Sequence, residues 1–223
     1  MSDTQASMQP GTLVAVVFVA AIFLAAVILA IRYSRKHESA MRELAQTQGW
    51  GFTRGDAGGY AARLEELFPE YSFGVGYAMS VETGARNLVL LDGSYSNRAG
   101  RPSSRPAAIC LIESSRLRSV GARVEIIGRT WVDEKLLPGQ VQMGDTEFAR
   151  QFIVLSKDPA SAKGTVSESL QAMLVAHAIR PLYNPVHIAI GTGKAAVMTG
   201  SADEPERWRD LVHLARELEA AVR

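Results

Sequence analysis

The chain has 223 residues, balances 24 Lys+Arg against 23 Asp+Glu for a formal net charge of +1, and contains one cysteine. That balance excludes a partner drawn by overall charge, such as a nucleic-acid backbone, and a single thiol excludes an intrachain disulfide framework. Nineteen Arg against five Lys, with abundant Ala and Gly, fits the codon usage of a GC-rich bacterial genome.

From Leu13 to Ile31 the chain runs through nineteen apolar residues, with no charge between Asp3 and Arg32. At about 1.5 Å per residue the run reaches roughly 28 Å, close to the hydrocarbon thickness of about 30 Å, so it predicts a membrane span. A cleaved leader would open on basic residues, and Met1 to Thr12 has none. Arg32, Arg35 and Lys36 follow the run at once. The positive-inside rule therefore predicts residues 1–12 as a short extracytoplasmic segment, 13–31 as a transmembrane helix of the inner membrane, and all that follows as cytoplasmic. Within the span, Ala21 and Ala25, and Ala26 and Ala30, lie four apart and offer a face for a second helix.

Residues 32–48 continue as a juxtamembrane helix with Ala40, Met41, Leu44 and Ala45 at helical spacing and Gly49 as its C-cap. Residues 49–223 then form one cytoplasmic domain. Trp50-Gly51-Phe52 reads as a short strand, and Gly59 to Phe68 as a helix stopped by Pro69. From Phe73 to Glu82 apolar and small residues alternate with period two, and Arg86–Ser94, Ala107–Ser114, Arg123–Val132 and Phe148–Ser156 read as further strands. Their short connections suit an antiparallel sheet, since parallel joins need crossovers of about a dozen residues. Thr165-Val-Ser-Glu168 predicts a capping box opening a helix to His177. Val186–Ile190 and Ala195–Thr199 read as a hairpin, and Asp203-Glu-Pro-Glu206 as the start of a last helix burying Trp208, Leu211, Val212, Ala215, Leu218 and Val222. The fold class is α+β: an N-terminal transmembrane helix, then a mainly antiparallel sheet bracketed by helices.

Chemical motifs are few. Gly191-Thr-Gly193-Lys194 lacks the earlier glycine and the following Ser or Thr of a phosphate loop, and a strand follows it, so it reads as a hairpin turn. Gly74-Val-Gly76 fits glycine on a crowded strand face. His37, His177, His187 and His213 show no metal-ligand spacing, and no Gly-x-Ser-x-Gly elbow accompanies them. Cys110 sits in an apolar run and reads as a buried thiol. The one local charge bias is basic: Arg98, Arg101, Arg105, Arg116, Arg118, Arg123 and Arg129. With no aromatic between Asn97 and Pro106 to stack a base, Arg98, Arg101 and Arg105 suit anionic lipid headgroups better than nucleic acid.

Leu44-Ala45 with Gly49-Trp50-Gly51-Phe52, and the stretch Gly144 to Asp158 (GDTEFARQFIVLSKD) followed by the helix near Leu170 to Leu174, carry a resemblance. Over Leu44 to His177 the chain resembles an uncharacterised family of bacterial proteins with one N-terminal membrane helix and a cytoplasmic domain, although Ala149 stands where that pattern commonly has Asp. The resemblance implies architecture and assigns no catalytic residue. The sequence thus predicts a single-pass, membrane-anchored binding or scaffolding domain with no cofactor and an unidentified protein partner. Its rivals are a membrane-tethered hydrolase using His177 or His187 and a structural subunit of an envelope complex.

Overall fold

The computed structural model describes residues 10–98, 103–129, 137–178, 186–200 and 204–222. Arg101, Asp203, the 130–132 end of one predicted strand and most of the predicted extracytoplasmic segment lie outside the described residues. The chain divides into two compact units, Met1–Glu43 and Leu44–Arg223.

Helix α1, Pro10–Gln48, is continuous through the predicted span and the juxtamembrane segment. Among the described residues it is the one helix long and apolar enough to cross a membrane. Its apolar side chains lie open: Phe18, Phe23 and Leu29 are 66%, 72% and 64% exposed. Such exposure is unfavourable in water and ordinary in lipid, which suits a membrane anchor. The helix ends at Gly49, whose φ of 69° only glycine adopts freely. There Gly49 N donates to Gln46 O at 3.2 Å and Trp50 N to Ala45 O at 2.8 Å, the paired bonds of a Schellman cap.

The second unit is built on a sheet of nine strands, each pair antiparallel, in the order β1-β2-β3-β4-β9-β8-β5-β7-β6. These are β1 (Gly51–Arg54), β2 (Tyr71–Glu82), β3 (Arg86–Asn97), β4 (Arg105–Ser114), β5 (Val124–Gly128), β6 (Gln140–Val141), β7 (Phe152–Ser156), β8 (His187–Gly191) and β9 (Lys194–Thr199). Helix α2 (Tyr60–Leu67) covers one face and α6 (Pro205–Ala221) the other. On the α2 face Leu64, Leu67 and Phe68 bury against Ala78, Val89, Leu91, Ile109, Leu111, Ala189, Ala196 and Met198. On the α6 face the predicted stripe of Trp208, Leu211, Val212, Ala215, Leu218 and Val222 is buried, as are Leu88, Leu90, Cys110 and Ile112 of the strands it meets.

Two expectations need correction. Phe148–Ser156 is not one strand: Glu147–Gln151 forms a short helix, α3, before β7 begins at Phe152. Thr146 Oγ1 accepts from Ala149 N at 3.1 Å and caps it, and Phe148 and Phe152 stack with centroids 5.1 Å apart. That four-residue spacing serves one helix turn as readily as alternation serves a strand. Thr165 does not open the next helix either, because it closes α4 (Pro159–Thr165), which Asp158 caps through bonds from Ala160 N and Ser161 N. The helix to Ala178, α5 (Glu168–Ala178), begins two residues later, where Ser167 Oγ accepts from Leu170 N at 3.3 Å.

A bulge shapes the start of the sheet. Register slips by one residue between Val75 and Tyr77, so Gly76 is the inserted position. Close by, a Cβ on Gly93 would stand 2.1 Å from Gly74 O. Glycine is therefore required by β2–β3 contact at Gly93, beside the Gly74-Val-Gly76 segment that the sequence marks as crowded.

Candidate functional site

The sheet gathers polar and aromatic groups on its α2 face, around His187. Its place follows from the β8–β9 hairpin: His187 and Ala189 share a face with Met198 and Ala196, while Ile188 and Ile190 take the other. The turn that sets this register is stitched into the fold. Gly193, at φ 77°, donates its N–H to Leu117 O at 3.0 Å and accepts from Ser114 N at 3.0 Å, and Thr192 Oγ1 donates to Val120 O at 2.8 Å. Gly193 N–H is thus spent on protein carbonyl and Lys194 Nζ on Glu66, as a hairpin turn requires and a phosphate cradle does not.

His187 Nε2 meets Glu125 Oε2 of β5 at 2.9 Å. The other carboxylate oxygen accepts from Arg123, whose guanidinium also donates to Glu70 at 3.2 Å and to Leu67 O at 3.0 Å. Arg123 therefore closes the C-terminal carbonyl end of α2, where a cation is favoured. Around the imidazole, Phe68 and Tyr71 present rings nearly edge-on, with centroids 4.7 and 5.9 Å away, and Tyr71 in turn contacts Tyr95 at 5.4 Å. Burial, reinforced by Tyr95, Glu125 and Glu70, pushes the Tyr71 phenol above its ordinary value. Burial also raises Tyr95, against a hydrogen bond with Arg105 that pulls it down.

His187 is 1% and Glu125 5% exposed, so the pair is closed to a substrate and fixes α2 onto the sheet. The half-open members of the cluster are Tyr60, Tyr71, Phe73 and Val75. Arg98 and Arg105 stand exposed where the β3–β4 hairpin opens, and both have protein partners: Arg98 donates to Glu65 and to Ser72 Oγ, and Arg105 bonds Tyr95.

His177 lies elsewhere. It pairs with Glu217 of α6, which His213 Nε2 also approaches at 3.2 Å. The two histidines named for a hydrolase thus have separate glutamates on opposite sides of the sheet and join in no common triad. Among the described residues no group of three His, Cys, Asp or Glu is placed to hold a metal ion. Cys110 is fully buried, and burial pushes its thiol well above the ordinary range, which suits core packing and not nucleophilic attack.

A second polar network anchors α6. Glu219, 3% exposed, accepts from Ser114 Oγ and from Arg86 Nη1 at 2.8 Å, while Glu82 holds Arg86 and takes a 2.8 Å bond from Arg216. Burial pushes the Glu82 carboxyl up, but the bonds from Arg216 and Arg86 outweigh it and leave the group below its usual range. Neither network was legible in the chain. Their members lie up to 134 positions apart, and the only local signal was an acid or a His in an otherwise apolar strand.

No family model matches the chain, and no curated protein sequence matches it. The family resemblance of Leu44 to His177 gains no support from either. Among solved structures, the crystal structure of the mycobacterial trehalose monomycolate transport factor A, TtfA, is similar at a TM-score of 0.60 with 11% sequence identity, over 85% of this chain and 96% of that one. The two share an α+β fold.

Proposed function

We propose that this protein is a single-pass, membrane-anchored binding or scaffolding factor whose sheet domain works at the cytoplasmic face of the inner membrane. The observation that carries the reading is α1, with its lipid-compatible exposed segment ending at Arg32, Arg35 and Lys36. The burial of His187, Glu125 and Glu219 supports a binding role over a catalytic one, because these groups are spent on holding helices to the sheet. The shared fold supports it too, since the mycobacterial protein of that fold is named as a trehalose monomycolate transport factor. By that analogy the partner is a component of a membrane transport system. Arg98, Arg101 and Arg105 would add contacts to anionic headgroups, each worth about 1 kcal/mol beside an anionic surface.

Capture of the tagged full chain from detergent-solubilised native membranes, followed by mass spectrometry, tests this reading. It expects a stoichiometric membrane-protein partner, lost when the second unit is replaced by an unrelated domain. Recovery of the chain alone would contradict it.

A further inference from the structure

We propose that α1 carries a phospholipid site, in which Arg32, Arg35 and Lys36 hold a headgroup of two linked phosphates and the face of Ala21 and Ala25 takes its acyl chains. This site depends on the reading of α1 as the membrane anchor. At about 100° per residue, Ala21, Ala25, Ile28, Arg32, Arg35 and Lys36 fall within about 100° of one side of the helix. All six are exposed. Between Asp3 and Glu38 the chain has no acid, and Glu38 is taken by Arg42 at 3.0 Å. Among the described residues no carboxylate pairs with Arg32, Arg35 or Lys36. Tyr33 marks the depth: 62% exposed, it stacks on His37 with centroids 6.5 Å apart, as an amphipathic ring does at headgroup level.

Two phosphates suit the spacing. Helix residues three and four apart hold their Cβ atoms about 5–6 Å apart, so three cations on one turn can serve two phosphates joined by a short bridge, whereas a single phosphate leaves cationic charge uncompensated. Arginine adds paired donors that match phosphate oxygens. Ala25 lies about 10 Å and Ala21 about 16 Å along the axis from Arg32, the depth range of one leaflet's acyl chains, roughly 15 Å. Beside Ile28 and Leu29, 43% and 64% exposed, the two methyl groups leave a shallow slot. The same face suits a second copy badly, because parallel chains meeting at Ala21 and Ala25 would bring both sets of three cations into like-charge contact. An anionic lipid meets those cations with the opposite charge.

Native mass spectrometry of the full-length protein released from nanodiscs tests this, in discs whose cardiolipin and phosphatidylglycerol are matched in phosphate. Both leaflets of a disc carry the same lipids, so the readout does not depend on which side of the membrane the domain occupies. Cardiolipin should be retained about tenfold over phosphatidylglycerol, and excess inorganic phosphate should not release it. Arg32→Lys with Arg35→Lys should keep the charge and lose much of the preference, because the paired donors go. Arg32→Gln, Arg35→Gln and Lys36→Gln together should abolish it, and Ala25→Leu should lower retention with every cation in place. Equal retention of the two lipids, release by inorganic phosphate, or a preference unmoved by these variants would overturn the proposal. A chain that stays out of the discs would remove the membrane anchor and this site together.

Discussion

Arg123 reaches back 56 positions to donate to Leu67 O at 3.0 Å, and with its other guanidinium nitrogen holds the buried Glu125. One side chain thus caps α2, anchors the acid that positions His187, and joins the first helix of the sheet domain to its central strands. Removing it leaves a carboxylate buried without its cation. Arg123→Met should cost roughly 2–3 kcal/mol, less than the roughly 3–5 for breaking a fully buried pair because the arginine is itself partly open to water. Urea denaturation of the two proteins measures the loss, and a variant that also carries Glu125→Leu should recover part of it.

The Tyr71 phenol gives the domain an alkaline dependence. Burial first, then Tyr95, Glu125 and Glu70, hold its folded value above the ordinary one of about 10. A raised folded value means that the unfolded chain loses its proton first. The stability this group supports is therefore complete below about pH 10 and lost as pH rises through the folded value. Thermal unfolding between about pH 8 and pH 11 should show that decline, and Tyr71→Phe should lessen it, leaving the share of the buried Tyr95.

The compact unit begins at Leu44, inside α1, and both Leu44 and Ala45 are buried. A fragment starting at Gly49 would lose these side chains and the carbonyl of Ala45 that accepts from Trp50 N. Burying one leucine contributes about 1.5–3 kcal/mol. Fragment Leu44–Arg223 should therefore unfold cooperatively and at a higher temperature than Gly49–Arg223, as scanning calorimetry of the pair would report.

The arginines at the hairpin opening predict a salt-dependent affinity for membranes. Fragment Leu44–Arg223 should co-sediment with anionic vesicles at low salt, bind neutral vesicles poorly, and lose binding when Arg98, Arg101 and Arg105 become Ser. Since Arg98 already pairs with Glu65, Glu65→Gln should strengthen that binding. Equal binding to both vesicle types would remove the headgroup reading.

Local pattern carried most of the architecture. The nineteen-residue apolar run, the Gly49 stop, the alternation through β2, the Gly191–Lys194 hairpin and the Trp208 to Val222 stripe are each written within a short window, and each formed where its spacing places it. The misses have physical reasons. Phe148 and Phe152 satisfy helix and strand spacing alike, and Thr165 and Ser167 are equally good caps two residues apart. The polar networks are decided by pairing across the sheet: Glu125 meets His187 because β5 and β8 are neighbours in a strand order that no run of residues encodes.

The central claim is that α1 anchors the sheet domain on the cytoplasmic side, and topology reporters test it most directly. Alkaline phosphatase and a fluorescent protein, fused separately after Arg223, report export and cytoplasmic folding respectively. Membranes should retain the chain after carbonate washing, the fluorescent fusion should be bright, and the phosphatase fusion inactive. An active phosphatase with a dark fluorescent fusion, or release of the chain by carbonate, would contradict the account.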